Sequence, residues 1–356
     1  MPVKPAYQVP SMAEIAELPH NGFNVISTFS GCGGSSLGYK MAGYRVLAAC
    51  EFIPAAQDTY RANFPNTPII GDDIRDVTAE RLLETAGIEP GQLDILDGSP
   101  PCSSFSTAGV RDSGWGKVKD YSSGVKQRTD DLFFEFLRIV DGVQPKVVVA
   151  ENVPGLVAGR ARNYFDAIMT RLDVLGYHAK AQVLEAQWLG VPQTRKRLII
   201  VAVRRDLNRP PVFPRPLPYR YSIREAFGGQ DALGVNGLLD AESGHNLELK
   251  PGTRIRQAWE KLPLGAKPVK KLYTLIRTHP DRPAPTITAT TASSPTHGLS
   301  PRYFSLAELR RLASFPDDFE LTGNHAERSE RIGRAVPPVM MRAIASGIRD
   351  HVLRSQ

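Results

Sequence analysis

Cys102 follows an apolar run and two prolines, and its thiol is the side chain best suited to covalent catalysis in this sequence. The run at residues 93–96 predicts a short buried strand. A side chain just past the carboxyl end of such a strand faces the crevice in which open α/β sheets bind ligands. The prolines restrict the backbone and hold the thiol in one direction. Cys102 is therefore a candidate nucleophile, although a lone cysteine more often simply packs in a core.

A glycine-rich turn upstream and an acid at the next strand end indicate a nucleoside cofactor. Residues 24–29 predict a strand, residues 31–38 a turn that enters a helix, and residues 44–50 a second strand ending at Glu51. Glycines allow the backbone to approach a ligand, and an acid in this place accepts hydrogen bonds from ribose. Because the spacing differs from G-x-G-x-x-G, a cofactor with one nucleoside fits better than NAD.

Asp73 is a second candidate acid, since it follows the apolar pair at 69–70. Its carboxylate could accept a hydrogen bond from an adenine amino group. The alternative is an ordinary acid in a turn before a helix.

The alternation of helices and strands along the chain predicts a doubly wound, mostly parallel α/β sheet. Further buried strands are expected at 147–150, which ends at Glu151, and at 198–203. Helices are expected at 78–86, 132–140, 164–175, 305–313 and 339–352. Residues 110–130 predict a long polar loop, either a phosphate-binding segment or a solvated surface loop.

Periodicity is poor and proline and glycine are frequent after residue 204, which predicts a second, smaller and irregular domain. We expect a large domain at 1–203 plus 300–356 and the smaller one at 204–299. With 356 residues, the chain is long enough for two domains.

Composition restricts the class of protein. The net charge of +7 suits a polyanionic partner, although charge alone is weak evidence. No apolar run has the length of a membrane span and the first twenty residues show no signal-peptide pattern, so we expect a cytoplasmic protein without a membrane partner. The three cysteines show no C-x-x-C spacing, which predicts reduced thiols and no metal site.

Several motifs together resemble the DNA cytosine-5 methyltransferases, in the order found in that family, over about residues 24–348. They are Phe29-Ser30-Gly31-Cys32-Gly33-Gly34, Glu51, Asp73, Pro100-Pro101-Cys102, Glu151-Asn152-Val153, Gln193-x-Arg195-x-Arg197 and Ile332-Gly333-Arg334-Ala335-Val336-Pro337-Pro338. The resemblance implies the S-adenosylmethionine-dependent methyltransferase fold, with the irregular domain as target recognition domain. It also implies S-adenosylmethionine as cofactor and a cytosine flipped out of duplex DNA as substrate.

The family pattern also implies roles for the candidate catalytic residues. The Cys102 thiolate would add to cytosine C6, which makes C5 nucleophilic. Glu151, held against Asn152, would donate or share a proton near N3. Arg197 would hold the O2 edge and orient Glu151, and Arg195 would contact a phosphate or a loop.

The same resemblance assigns the cofactor site. Phe29 would stack on adenine, Gly31 and Gly33 would approach the methionine part, and Glu51 would bind ribose. The remaining expected contacts are Ser30, Gly34, Phe52, Asp73, Ile74, Pro100, Arg334 and Val336.

Two residues depart from the family pattern. Ser27 stands where an acidic residue is common, and Arg334 stands where the last motif has an asparagine beside the cofactor. A permanent cation near a sulfonium is unfavourable unless an anion compensates it. That anion could be the cofactor's own carboxylate, Glu327 or Glu330. It could also be a carboxylate on the transferred group, as in carboxy-S-adenosylmethionine, which would make the chain a DNA cytosine-5 carboxymethyltransferase.

Other classes remain as alternatives. An RNA cytosine-5 methyltransferase would also retain Cys102, whereas adenine-N6 and cytosine-N4 methyltransferases use no nucleophile. A DNA-binding relative without activity is disfavoured by the intact Cys102, Glu151 and Arg197. We expect a monomer. The sequence leaves open the recognition site, and whether the chain is paired with a restriction endonuclease, belongs to a phage or works alone.

Overall fold

The computed structural model describes residues 3–101, 118–120, 126–128, 131–267, 275–289 and 295–354. The chain divides into two compact units. The sheet unit comprises Glu17–Leu184, Lys196–Pro214 and Met341–Gln356, and the loop-rich unit comprises Met1–Ala16, Glu185–Arg195 and Arg215–Met340. Residues 185–195 and 300–340 thus cluster with the loop-rich unit. The functional division at 204 and 299 remains a prediction.

A seven-stranded sheet forms the centre of the sheet unit. Its strands, in chain order, are Asn24–Thr28 (β1), Arg45–Cys50 (β2), Ile69–Ile70 (β3), Ile95–Gly98 (β4), Val147–Asn152 (β5), Tyr177–Glu185 (β6) and Lys196–Arg204 (β7). Their spatial order is β3-β2-β1-β4-β5-β7-β6. Strands β1 to β5 pair in parallel and β7 runs antiparallel to β5. The predicted doubly wound, mostly parallel α/β fold is confirmed.

Strand β6 was not predicted, because it lies at the edge of the sheet. Its side chains alternate between exposed and half-buried, and His178 and Lys180 interrupt any apolar run. Charged residues on an edge strand discourage pairing with another chain. The polar composition that protects this edge therefore also hides the strand in the sequence.

The described residues contain eleven α-helices. They are Met12–Ala16 (α1), Gly34–Met41 (α2), Pro54–Asn63 (α3), Ala79–Ala86 (α4), Leu132–Val143 (α5), Arg162–Val174 (α6), Ile223–Ala226 (α7), Arg254–Lys261 (α8), Leu306–Leu312 (α9), His325–Arg334 (α10) and Pro338–Ile348 (α11). Six of them, α2, α4, α5, α6, α9 and α11, match predicted helices to within a few residues.

Helix α10 was missed because its sequence is almost entirely polar. Its start nevertheless carries a signal: Asn324 accepts from the Glu327 N–H at 3.0 Å, and the Glu327 carboxylate accepts from the Asn324 N–H at 2.9 Å. This capping box satisfies two backbone donors that the first turn leaves unpaired. An N-x-x-E spacing at this point would have predicted the helix start.

The core of the sheet unit is built on the central strands. Ile26, Leu96, Val148 and Ile200 are fully buried, each on a different strand. Helices on both faces cover these strands, which explains their nearly continuous apolar sequences. Each such side chain contributes about 1.5–3 kcal/mol relative to an exposed position.

Within the predicted polar loop 110–130, Val118–Asp120 and Lys126–Arg128 form an antiparallel pair of short strands. The rest of that segment lies outside the described residues. Among the helices the structure describes, none has the length and apolar character needed to cross a membrane.

Candidate active site

The turn between β1 and α2 has an unusual backbone. Gly31 and Gly33 adopt φ of 55° and 95°, and Phe29 adopts φ of 51° although it carries a side chain. A left-handed residue other than glycine costs roughly 1–2 kcal/mol, and such residues gather at functional sites. The Ser99 hydroxyl donates to the Phe29 carbonyl at 3.0 Å and helps to hold this conformation. Neither this strain nor the role of Ser99 is visible in the sequence.

Glu51, at the end of β2, is bonded directly to this turn. Its buried carboxylate accepts from the N–H of Gly31 and from that of Ile53, each at 2.7 Å. Ser30 is tied to the same strand end, because its hydroxyl donates to the Cys50 carbonyl at 3.0 Å. Glu51 thus lies where nucleoside-binding α/β folds place the acid that accepts hydrogen bonds from ribose hydroxyls.

The turn also fits a ligand in shape. A Cβ added to Gly31 would meet no atom of the described residues within 4 Å, so these residues leave the turn open on that side. At Gly33, by contrast, an added Cβ would lie 2.3 Å from the Phe64 ring, so this glycine is required by packing. Gly34 begins α2 and is buried, whereas Phe52 is half-buried beside Glu51.

Asp73 and Ile74, two predicted cofactor contacts, have structural partners of their own. The Arg75 backbone and side chain donate to the Asp73 carboxylate at 3.0–3.1 Å, and Arg75 also pairs with Asp131 at 2.5 Å. The side chain of Ile74 packs in the apolar core. An adenine amino group would therefore share Asp73 with Arg75.

Glu151 and Arg197 form an ion pair at the ends of two adjacent strands. Arg197 Nε lies 2.6 Å from Glu151 Oε1, with 16% and 12% of the two side chains exposed. The antiparallel register places Ile199 opposite Glu151, so Arg197 reaches the acid diagonally. Asn152 is buried and donates to the Pro100 carbonyl at 3.1 Å. This bond fixes the chain two residues before Cys102.

Cys102 itself lies outside the described residues. The two described cysteines, Cys32 and Cys50, are both buried. Burial raises the pKa of the Cys50 thiol to about 12, and the nearby Glu51 carboxylate raises it further. A thiol with this pKa is protonated at neutral pH and is a poor nucleophile.

Arg195 and Val336 are buried in the loop-rich unit. One guanidinium nitrogen of Arg195 donates to the carbonyls of Ile287 and Gly333, each at 3.1 Å. Ile287 lies in a loop and Gly333 in the last turn of α10, so both partners belong to the protein itself.

Arg334 also lies in the loop-rich unit, at the end of α10. Its Nε and Nη2 are 2.6 Å and 2.5 Å from Oε1 of Glu330, and only 4% of the Glu330 side chain is exposed. Glu327 caps the start of the helix instead. Of the two glutamates, Glu330 is therefore the one that compensates the Arg334 charge.

No cluster of three or more His, Cys, Asp or Glu that could hold a metal ion occurs among the described residues. The strained turn, the acid bonded to it and Glu151 lie at the carboxyl ends of parallel strands, where open α/β sheets bind ligands, and Arg197 joins them from the start of the antiparallel strand β7. Fold and site together define an S-adenosylmethionine-dependent methyltransferase of the α/β class.

The chain belongs to the C-5 cytosine-specific DNA methylase family, whose model matches residues 23–350. Type II methyltransferase M1.HphI of Haemophilus parahaemolyticus is 32% identical over 332 residues, covering 91% of this chain and 86% of that protein. Type II methyltransferase M.PspPI of Psychrobacter sp. (strain TA137) is 31% identical, covering 94% and 81%.

Two solved structures share the fold. A candidate DNA modification methyltransferase encoded within an E. coli prophage matches with a TM-score of 0.72 and 24% identity, covering 94% of this chain and 100% of that chain. A variant of DNMT2 from Spodoptera frugiperda matches with a TM-score of 0.64 and 19% identity, covering 90% and 98%.

Proposed function

We propose that this chain transfers a methyl group from S-adenosylmethionine to C5 of a cytosine flipped out of duplex DNA, through a covalent bond between Cys102 and C6. The observation that carries the proposal is the Glu151–Arg197 pair, beside an Asn152 that braces Pro100. An acid and a fork-shaped donor at adjacent strand ends match the N3 and O2 edge of a cytosine.

The reaction follows from the weakness of cytosine C5 as a nucleophile. The Cys102 thiolate adds to C6 while Glu151 donates or shares a proton at N3, and Arg197 holds both O2 and Glu151. When bound, S-adenosylmethionine would supply an electrophilic methyl carbon to C5 and would leave as the neutral thioether S-adenosylhomocysteine. Loss of the C5 proton and expulsion of the thiolate then restore the aromatic ring.

The chain's own residues support this cofactor. Phe29 and the open side of Gly31 offer space beside the turn, and Glu51 lies at the strand end where such folds bind ribose. Arg334 and Val336, from the last motif, are the remaining proposed cofactor contacts. Arg195 would support the loop-rich unit rather than touch the base.

Duplex DNA is the proposed partner, and the chain would act as a monomer. Because the relatives are named Type II methyltransferases, a cognate restriction endonuclease is also proposed as a functional partner. An RNA cytosine substrate is the competing possibility for the same chemistry.

Arg334 supports a second candidate function, transfer of a carboxymethyl group from carboxy-S-adenosylmethionine. About a third of its side chain is exposed (30%), so its charge could meet a carboxylate on the transferred group. Glu330, however, compensates part of that charge, although its carboxylate also pairs with Arg331 at 3.1 Å. We therefore place methyl transfer first.

Mass spectrometry of nucleosides tests both candidates. Purified protein is incubated with an equal mixture of the two cofactors and with duplex DNA or tRNA in separate reactions. We expect 5-methylcytosine from DNA, the same product from Arg334→Asn, and none from Cys102→Ala. Dominant 5-carboxymethylcytosine that Arg334→Asn abolishes would establish the second candidate. Modification by Cys102→Ala would rule out the covalent route, and modification of tRNA alone would replace the substrate.

A further inference from the structure

Asp97 is a buried acid in the middle of the sheet to which the proposed reaction gives no role. It lies on β4, between β1 and β5, and is 2% exposed. Its Oδ2 accepts from the Ser27 hydroxyl at 3.1 Å and its Oδ1 from the Tyr39 hydroxyl at 3.2 Å. The Ser35 hydroxyl donates to the same carboxylate. Four polar side chains from three elements thus form one buried network.

The network contains no cation to balance the acid. Among the described residues, no lysine, arginine or histidine forms an ion pair with Asp97. The ionisable groups that act on it are the phenols of Tyr39 and Tyr60 and the carboxylate of Glu151, which are neutral or negative. Burial raises the pKa of Asp97 to about 7. Burying an acid with neutral partners alone costs free energy, and proteins keep such groups mainly at functional sites.

Ser27 connects this acid to the departure noted in the sequence. The parallel register of β1 and β4 places Ser27 directly beside Asp97. The two side chains share one face of the sheet and lie on strands about 4.8 Å apart. The acid expected at position 27 is therefore present one strand away, on the same face.

The network also leads to the glycine turn. Ser35 lies in the first turn of α2, immediately after that turn, and Tyr39 lies four residues further along the same helix face. Asp97 accepts a hydrogen bond from each. It therefore joins the start of α2 to the central strands and fixes where the glycine turn ends.

We infer that Asp97 is a positioning residue for the cofactor, in place of the acid absent at position 27. It holds the glycine turn through Ser35 and Tyr39, and its negative charge favours a cofactor that carries sulfonium and ammonium cations. The inference rests on the proposed function for the identity of the cofactor.

The central test of this inference moves the carboxylate from position 97 on β4 to position 27 on β1. Dissociation constants for S-adenosylmethionine are measured by calorimetry on the full chain for Asp97→Asn, Asp97→Ser and the double variant Ser27→Asp/Asp97→Ser. Loss of a charged partner predicts about tenfold weaker binding in each single variant. The double variant restores the acid and should bind within about threefold of the parent chain.

Asp94→Asn is the matched control. Asp94 is also a buried acid of this sheet unit, but Lys146 compensates it at 2.9 Å. Its replacement should lower stability and leave the cofactor dissociation constant unchanged. Equal weakening by Asp94→Asn and Asp97→Asn would show a general effect of destabilisation and would overturn the inference.

A pH profile of the parent chain does not depend on any variant folding. Binding should tighten as pH rises from 5.5 to 7.5 while Asp97 ionises, and Asp97→Asn should lose this part of the profile. A flat profile in the parent chain contradicts the inference, as does a double variant that binds no better than Asp97→Ser. Failure of the proposed function looks different, since the parent chain would then bind no S-adenosylmethionine at any pH.

Discussion

Glu151 and Arg197 show how single residues acquire a defined geometry in this protein. Each occurs in a short motif, and the motifs are more than forty residues apart. The antiparallel pairing of β5 and β7 brings the two side chains to 2.6 Å and leaves them mostly buried. Low exposure reduces screening by solvent, so this pair should be stronger than the surface pairs.

Replacing Glu151 by glutamine removes the proton donor and keeps the shape of the side chain. We expect kcat to fall by about 10²–10⁴-fold, with little change in KM for DNA. Asp166→Asn is the control, because its pair with Arg162 at 2.9 Å is exposed and on the surface of α6. Single-turnover rates on duplex DNA are measured for Glu151→Gln and for Asp166→Asn. Equal rates for Glu151→Gln and the parent chain would remove Glu151 from the mechanism.

At the scale of elements, the turn from β1 to α2 contains two glycines that look alike in the sequence but have different structural reasons. Gly31 and Gly33 both adopt positive φ. Phe64 lies against Gly33, whereas no atom in the described part of the chain would contact a Cβ added to Gly31. The first glycine is therefore available to a ligand, and the second serves packing.

Gly31→Ala and Gly33→Ala should rank in opposite order for loss of stability and for loss of S-adenosylmethionine affinity. Both variants pay roughly 1–2 kcal/mol for the left-handed conformation. Gly33→Ala adds an overlap with Phe64 and should cost roughly 1–3 kcal/mol more. Gly31→Ala places its methyl on the open side and should weaken S-adenosylmethionine binding more. Thermal unfolding and calorimetry give the two rankings, and identical rankings would refute this division of roles.

At the scale of the whole molecule, the core of the sheet unit contains the buried acid Asp97, for which the described residues provide no ion pair. Asp97 lies on β4 between the buried strands β1 and β5. Burial raises the pKa of this acid from its usual value near 3.8 to about 7. Between these two pH values the folded state keeps a proton that the unfolded state loses. The contribution of Asp97 to stability is therefore present at low pH and is lost as pH rises to about 7.

Asp97→Asn should make the whole chain less sensitive to pH. The stability difference between this variant and the parent should move in favour of the variant from pH 5 to pH 8. Over this range the change is at most roughly 3 kcal/mol, because about 1.4 kcal/mol is lost for each pH unit between 5 and 7. Calorimetric unfolding without cofactor measures the change. A difference that stays constant with pH would mean that Asp97 does not titrate in the folded state.

Much of the architecture follows from the sequence because strands that are buried on both faces must be apolar along their whole length. The central strands β1, β2, β4, β5 and β7 were predicted for this reason, and so were helices with a regular apolar face such as α5. Strand β6 and helices α3, α8 and α10 were not predicted, because they are largely polar. Their positions depend on packing against distant segments.

The sequence by itself determined the family, the parallel α/β fold and the order of the chemical motifs, because apolar periodicity and motif spacing are local properties. Tertiary structure alone decided that Glu330 is the partner of Arg334, that Arg75 already holds Asp73, and that Asp97 stands beside Ser27. It also decided that Phe29 is left-handed. These facts depend on strand register and on contacts between residues far apart in the chain, and no local pattern of residues specifies them.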